Sequence, residues 1–459
     1  MEKKFITKSS IFKIMNTKRL FLLIISLLLC NMLFAQISKN EAFNIVKNNV
    51  LNNDYQSKNI FASQTLIPQL FTLNSLNNEV VSPDYYSWFF FIEDIPFSNW
   101  GRGRVVFINS TDGSVLTHSD LFPPSNVEMD IFFLVPVDTL SPTPRFIIDN
   151  SQEESFCFSN NNYAVIISGG GSLWSNWVRY WNDCAAIYSI LVNKYHFDKS
   201  KIFVLMSNGT DPSHDRIHYD YTTDSSPLDL DGDGTDDIQF SATKSNITYI
   251  FDHLSSIMTS DDNLFIFTTD HGSTIYPGIA TLVLWEEEML ATEFAFEVNK
   301  VNFAKSINVV MEQCYSGGFI PVLEGNNRVI STACNAYELS WAMPPDYYYN
   351  EYVFHWMSAV NGATPYGVPI NADYDGNGIV TMDEAFQYAS NADTRPETPQ
   401  YSGGNVGDIL SLYGLGFPYP AYNNYSTTGN LTISSNSMIK GTFIINNAHT
   451  VTINANVLS

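Results

Sequence analysis

The sequence predicts an α/β protein: a mostly parallel sheet with helices on both faces, preceded by a small α+β module and followed by a short β tail. Three observations carry this. Between Asn161 and Ser331 short apolar runs alternate with helical stretches, the pattern of strands buried on both faces and crossed over by helices. Ahead of them one capped helix leads into aromatic extended runs. After about Gly416 the chain turns to Asn, Ser and Thr with alternating Val and Ile.

At 459 residues, 45% hydrophobic and 15% charged, the chain is globular and long enough for two or three domains. Residues 1–35 read as a signal peptide: Lys18-Arg19, the apolar run Leu20 to Leu29, then Leu33-Phe34-Ala35 before Gln36, an apolar stretch too short to span a bilayer comfortably. Met15 is the expected start, and Leu29 is not the small residue a lipoprotein site at Cys30 wants. Beyond Gln36 there remain 17 basic and 46 acidic residues. That balance argues against nucleic acid and anionic membranes as partners and favours a soluble protein that binds cations, and the signal peptide implies that it is secreted or at the cell surface. No later segment reads as a membrane helix. Signal removal leaves Cys157, Cys184, Cys314 and Cys334, too few for a disulfide framework in so long a chain, so a free reactive thiol is expected.

Residues 36–121 form the first module. Ser38-Lys39-Asn40-Glu41 is a capping box ahead of Ala42, Phe43, Val46 and Val50 at helical spacing. Tyr85 to Ile92 and Arg104 to Ile108 are extended, and a turn at Asn109 to Gly113 precedes Ser114-Val115-Leu116. One helix and a small sheet ending in Val106 to Leu116 resemble the PepSY-like modules of bacterial protease propeptides. Pro123-Pro124 and Ser141-Pro142-Thr143-Pro144 mark 122–160 as linker with some strand.

The second domain spans 161–416. Strands are expected at Tyr163–Ser168, Lys201–Met206, Asn263–Thr269, Ser306–Met311 and Arg328–Ser331, with helices at Asp183–Val192, Ser245–Ile257 and Thr292–Phe303. In such sheets chemistry collects at the carboxyl ends of the strands. Two of these ends carry reactive side chains: Thr269-Asp270-His271-Gly272 and Glu312-Gln313-Cys314-Tyr315-Ser316-Gly317. A thiolate beside a proton carrier is the requirement for nucleophilic attack on an acyl group and protonation of its leaving amine. Cys314 is the candidate nucleophile and His271 its partner. Glycine beside each lets backbone approach a substrate, and the amides of Gly272 and Cys314 are candidate oxyanion donors.

At these residues the sequence resembles the legumain family of cysteine endopeptidases, relatives of caspases and gingipains. Thr269 to Thr274 is similar to the family's catalytic-histidine block, Glu312 to Gly317 to its catalytic-cysteine block, and Thr332-Ala333-Cys334-Asn335 with Glu338 and Ser340 to the segment that follows. Arg179 and Asp183 match an earlier block. The resemblance covers roughly 161 to 415 and implies a caspase-like fold and an acyl-enzyme mechanism. It further implies a pocket for asparagine before the cut bond, lined by Arg179, Glu312, Ser340 and Glu351. The asparagine that orients the histidine should fall at Trp177, and Asn176 is one position off. Tyr180 and Leu339 stand where a histidine and a serine help line the family's pocket, which implies a less polar one.

Asp373 to Glu384 fits a twelve-residue calcium loop, with oxygen ligands from Asp373, Asp375, Asn377, the Ile379 carbonyl, Thr381 and bidentate Glu384, and Gly378 at the sharp turn. Asp229, Asp231 and Asp233 begin the same way, but Phe240 stands where the bidentate acid belongs; Asp236 or Asp237 would have to close a shorter loop. Calcium is thus expected as a structural ion, with no cofactor for catalysis. Two other readings are an arginine-specific gingipain-like or clostripain-like peptidase, and a calcium-stabilised adhesion module without activity. Residues 417–459 read as a β-rich tail, a truncated β-solenoid or a linker to a further module.

Overall fold

The computed structural model describes residues 36–74, 80–137 and 161–415, with short stretches between 421 and 458. The expected signal peptide, most of the expected linker and Cys157 lie outside the described residues.

In the first module helix α1 (Lys39–Ile45) starts on Ser38, whose hydroxyl and backbone exchange hydrogen bonds with Glu41 as the capping box requires. Five antiparallel strands follow: β1 (Asn59–Ser63), β2 (Ser87–Glu93), β3 (Gly103–Asn109), β4 (Val115–Leu121) and β5 (Met129–Phe133), in the order β4-β3-β2-β1-β5. Strand β5 falls inside the segment read as linker. It completes the sheet edge beside β1, so the module runs on to about residue 134. Alternation divides the sheet's side chains between two faces. Ile60, Phe90, Ile92, Val106 and Ile108 pack on Ala42 and Val46. Phe61, Phe89, Phe91, Val105 and Phe107 pack on Trp177, Tyr180 and Tyr219 of the second domain. The two domains therefore share one buried cluster.

The second domain is built on β6 (Asn162–Ser168), β7 (Ile202–Met206), β8 (Asn263–Thr269), β9 (Ser306–Met311), β10 (Arg328–Thr332) and β11 (Gln400–Ser402), in the order β7-β6-β8-β9-β10-β11. All neighbours are parallel except the edge pair β10 and β11. Ala164, Ile166, Phe265, Phe267 and Val310 face helices α2 (Val178–Asn193), α5 (Glu351–Asn361) and α6 (Met382–Ala392). Val165, Ile167, Leu264, Ile266 and Val309 face α3 (Lys244–Ile257) and α4 (Ala291–Val298). Strand side chains alternate between two apolar layers, and the α/β class expected from the sequence is the one observed. Helix α5, strand β11 and an antiparallel flap (Gly272–Tyr276, Ile279–Leu284, Glu287–Leu290) are additions.

In the tail, Ala421–Asn423, Ser437–Lys440 and Val457–Leu458 pair in parallel, as do Leu431–Ile433 and Val451–Ile453. Parallel pairing of positions seventeen to twenty residues apart in sequence is what a coiled β ribbon requires.

Candidate active site

Strands β8 and β9 pair from Asn263 with Ser306 to Thr268 with Met311, so the turns after them leave the sheet side by side. Gly272 shows how close they run: a Cβ there would lie 2.1 Å from the Cys314 carbonyl oxygen, which only glycine avoids. Both turns hold a non-glycine residue at positive φ, Asp270 at 94° and Tyr315 at 59°. Such backbone persists where surroundings enforce it. Around Asp270 they do, because its buried carboxylate accepts from His271 N at 2.8 Å and from Ser168 Oγ at 3.1 Å.

Cys314 is fully buried, and Ser340 N donates to its Sγ at 3.2 Å. His271 is also buried, with Nε2 2.8 Å from the Ser175 carbonyl oxygen. A carbonyl only accepts, so Nε2 carries a proton and Nδ1 is the basic nitrogen of the neutral ring. The Tyr180 ring stands edge-on to the imidazole at 5.2 Å. Asn176 does not reach the histidine: its amide donates to Ser207 Oγ at 2.7 Å and to the Asp215 carbonyl at 2.6 Å. The adjacent Ser175 carbonyl holds the ring instead, a role that a search for an asparagine side chain could not find.

Arg179 lies between Asn350 Oδ1 (3.1 Å) and the Tyr219 hydroxyl (2.9 Å). Asp183 fixes Asn350 in turn, accepting from its amide at 2.6 Å, and takes a second bond from Thr269 Oγ1 at 2.9 Å. Beyond Arg179 the guanidinium, Glu312 and Ser340 converge on one buried side chain, Asn99 of the first module. Asn99 Oδ1 accepts from Arg179 at 3.2 Å and from the Tyr180 hydroxyl at 3.0 Å, and its amide donates to Ser340 Oγ at 2.9 Å and Glu312 Oε1 at 3.3 Å. Tyr180 therefore keeps a polar group in this pocket, contrary to the expectation of a less polar one. Glu351 is not there: its carboxylate accepts from Thr394 N at 2.7 Å and Thr394 Oγ1 at 2.6 Å, where it anchors the chain after α6.

Burial governs the ionisation of the site. It pushes the Cys314 thiol well above its ordinary value. Burial and then the charge of Arg179 pull His271 down to about 4. Burial also raises Asp270 to about 8 and Asp183 to about 7, and lifts Glu312, with Asp183 adding repulsion, well above the carboxylate range.

Of the two acidic loops, one gathers as expected. Oxygens of Asp373, Asp375 and Glu384 lie within 4.8 Å of one another, and Gly378 takes φ 87° at the turn. Thr381 Oγ1 is bonded to Glu384 Oε2 at 2.9 Å as the cap of α6, and Asn377 Oδ1 accepts from Ile379 N at 2.8 Å. In the other loop Asp229 and Asp231 gather with Asp237 rather than Asp233. The Lys199 ammonium stands 2.6 Å from Asp231 and 2.8 Å from Asp233, so a side-chain cation already occupies the acidic cluster.

Residues 162–376 match the peptidase C13 family. No curated protein matches the chain. Among solved structures, a protein of Geobacter sulfurreducens is similar at 11% identity and TM-score 0.33, covering 53% of this chain and 92% of its own. Caspase-1 from Spodoptera frugiperda is similar at 11% identity and TM-score 0.33, covering 58% of this chain and 92% of its own. Cys314 and His271 both fall inside the matched segment, and the chain carries a cysteine-type peptidase, a hydrolase of peptide bonds whose substrates are proteins or peptides.

Proposed function

We propose, starting from that peptidase domain, that the protein is a secreted endopeptidase that cuts after asparagine with Cys314 and His271 as its dyad. The Cys314 proton passes to Nδ1 of His271, and the sulfur attacks the carbonyl carbon of the residue before the cut. Gly272 N, which donates to the Asn99 carbonyl oxygen at 3.2 Å, and Cys314 N take the negative oxygen. The imidazolium then protonates the leaving amine, and water hydrolyses the thioester.

The observation that carries the preference is the four-point grip on a carboxamide. Arg179 and Tyr180 donate to its oxygen, and Glu312 and Ser340 accept from its nitrogen. A site built to bond both ends discriminates strongly against side chains lacking one of them. Substrate arginine would meet the buried Arg179 charge, which disfavours the gingipain-like alternative.

Calcium in the Asp373–Glu384 loop is part of the same reading, supported by three converging carboxylates, two ahead of α6 and Glu384 in its first turn. Export rests on the basic-then-apolar pattern of residues 16–35; among the described residues no helix is long and apolar enough to cross a membrane. The first module, read as a PepSY-like propeptide, restrains the enzyme until it is cut.

Peptides identical except before the cut bond test the preference, with Cys314→Ala as control. Asn should be cut fastest; faster cleavage after Arg or Lys would reject the pocket.

A further inference from the structure

The first module's sheet connects β2 to β3 through residues 94–102, far longer than the two to five residues usual in a hairpin. The extra chain enters the peptidase cleft. The Phe97 carbonyl accepts from Ala342 N at 2.8 Å, and Ser98 bridges Trp341 in antiparallel fashion. Asn99 N donates to the Ser340 carbonyl at 2.9 Å. Phe97 to Asn99 thus adds a short strand to Ser340–Ala342, the manner in which extended peptides dock on an exposed edge. The Asn99 carbonyl then accepts from Gly272 N at 3.2 Å, the group assigned to the oxyanion.

The chain continues on the other side of the dyad. Trp100 packs edge-on against Tyr315, with ring centres 5.3 Å apart. Gly101 passes so near His271 that a Cβ would lie 2.7 Å from Cγ. Arg102 closes the run on Ser273 Oγ at 2.5 Å and Glu288 at 3.3 Å.

We infer that the Asn99–Trp100 bond is a processing site, cut within the molecule by the chain's own Cys314. This rests on the asparagine-cutting reading above and names its first substrate. Cys314 Sγ bonds to the Asn99 carbonyl carbon as its proton moves to His271. The carbon–nitrogen bond to Trp100 breaks, and the Trp100 nitrogen takes that proton. Water then adds its oxygen to the same carbon through His271, the carbon–sulfur bond breaks and the proton returns to sulfur. One water is consumed, and a carboxyl at Asn99 and an amine at Trp100 appear.

Burial in the closed site disfavours the Cys314 thiolate, and the cut is a single event within each chain. It frees both halves of the loop to leave the cleft without unfolding the module, because β2 and β3 stay paired from Ser87 with Asn109 to Ile92 with Arg104. The pieces remain associated until denatured.

The test follows the purified chain by denaturing mass spectrometry and amino-terminal sequencing, beside Cys314→Ala, Asn99→Ala and Asn99→Asp, while hydrolysis of an added Asn peptide is recorded. We expect a new amino terminus at Trp100, formed during production or afterwards at a rate independent of protein concentration, and a whole Cys314→Ala chain. Asn99→Ala should slow the cut at least ~10²-fold, and Asn99→Asp should be cut faster at acidic than at neutral pH, which a folding defect would not produce. Peptide hydrolysis should rise as the bond is lost. A chain that cleaves added Asn peptides with its Asn99–Trp100 bond intact overturns this inference and leaves the peptidase reading standing. A chain that cuts neither itself nor any added peptide overturns both.

Discussion

The turns that carry His271 and Cys314 and the loop that carries Asn99 meet in one buried site, yet they are held in different ways. Each catalytic turn continues a central strand whose residues are all buried, and strand pairing fixes its position before any side chain contributes. The 94–102 loop projects from a hairpin into a neighbouring domain and is held by discrete hydrogen bonds, those of Asn99, Ser98 and Arg102 above all. The first arrangement is scaffold and the second is guest.

The scaffold half breaks hardest. Cys314→Ala and His271→Ala should each lower peptide hydrolysis by at least ~10⁴-fold with an unchanged circular dichroism spectrum, since the pair acts as one unit. Hydrolysis by Cys314→Ala at a comparable rate would remove the nucleophile assignment.

This half was also the legible one. Apolar runs ending in Asp270-His271-Gly272 and Gln313-Cys314 announce strand ends in any parallel sheet, and all five expected strands of that sheet are present within a residue or two. Asn99 gave no signal, because an asparagine between Ser98 and Trp100 reads as loop until packing places it between Arg179 and Glu312. Strand β5 was read only as some strand within a linker, and its place in the first sheet went unseen for a related reason: Met129–Phe133 is short, follows two prolines and owes its structure to pairing with β1 rather than to its own pattern. The group that holds the His271 ring is a backbone carbonyl, which no sequence displays. Glu351 was drawn to the pocket by an approximate match, whereas its place at the first turn of α5 turns it toward Thr394.

The pocket sharpens the comparison at a middle scale. Arg179→Lys keeps the charge but cannot serve Asn350, Tyr219 and the carboxamide oxygen together; kcat/KM for Asn peptides should fall ~10²-fold, the value of a charged hydrogen bond of about 1.5–3 kcal/mol. A smaller effect separates Asp from Asn. Burial, and then Asp183, raises the pKa of Glu312, so Glu312 is protonated at low pH and ionises as pH rises through that raised value. Ionised, it repels a substrate aspartate. The ratio of Asp to Asn cleavage should fall as pH rises through the raised pKa of Glu312, and Glu312→Gln should flatten the change. A ratio that rises with pH would contradict the pocket chemistry.

The smallest effects distinguish the acidic loops. In Cys314→Ala, which cannot cut itself, calcium at about a hundred times its Kd should add ~2.7 kcal/mol to stability, seen as a melting temperature higher by a few degrees. Glu384→Gln should abolish most of this. Lys199→Ala, by removing the ammonium among Asp231, Asp233 and Asp237, should leave the Glu384-dependent shift intact and add a second, weaker one. A melting curve unmoved by chelator or excess calcium would remove both loops from the account.

The central claim is that the Cys314 sulfur becomes joined to the carbonyl of an asparagine. Acid quenching during turnover of an Asn peptide, followed by mass spectrometry of the digested enzyme, tests it most directly. The account predicts an acyl adduct of the peptide's amino-terminal part on the fragment that carries Cys314, absent with an Arg peptide and absent in Cys314→Ala. Sustained hydrolysis of the Asn peptide with no adduct at Cys314, and with the rate unchanged in Cys314→Ala, would contradict it.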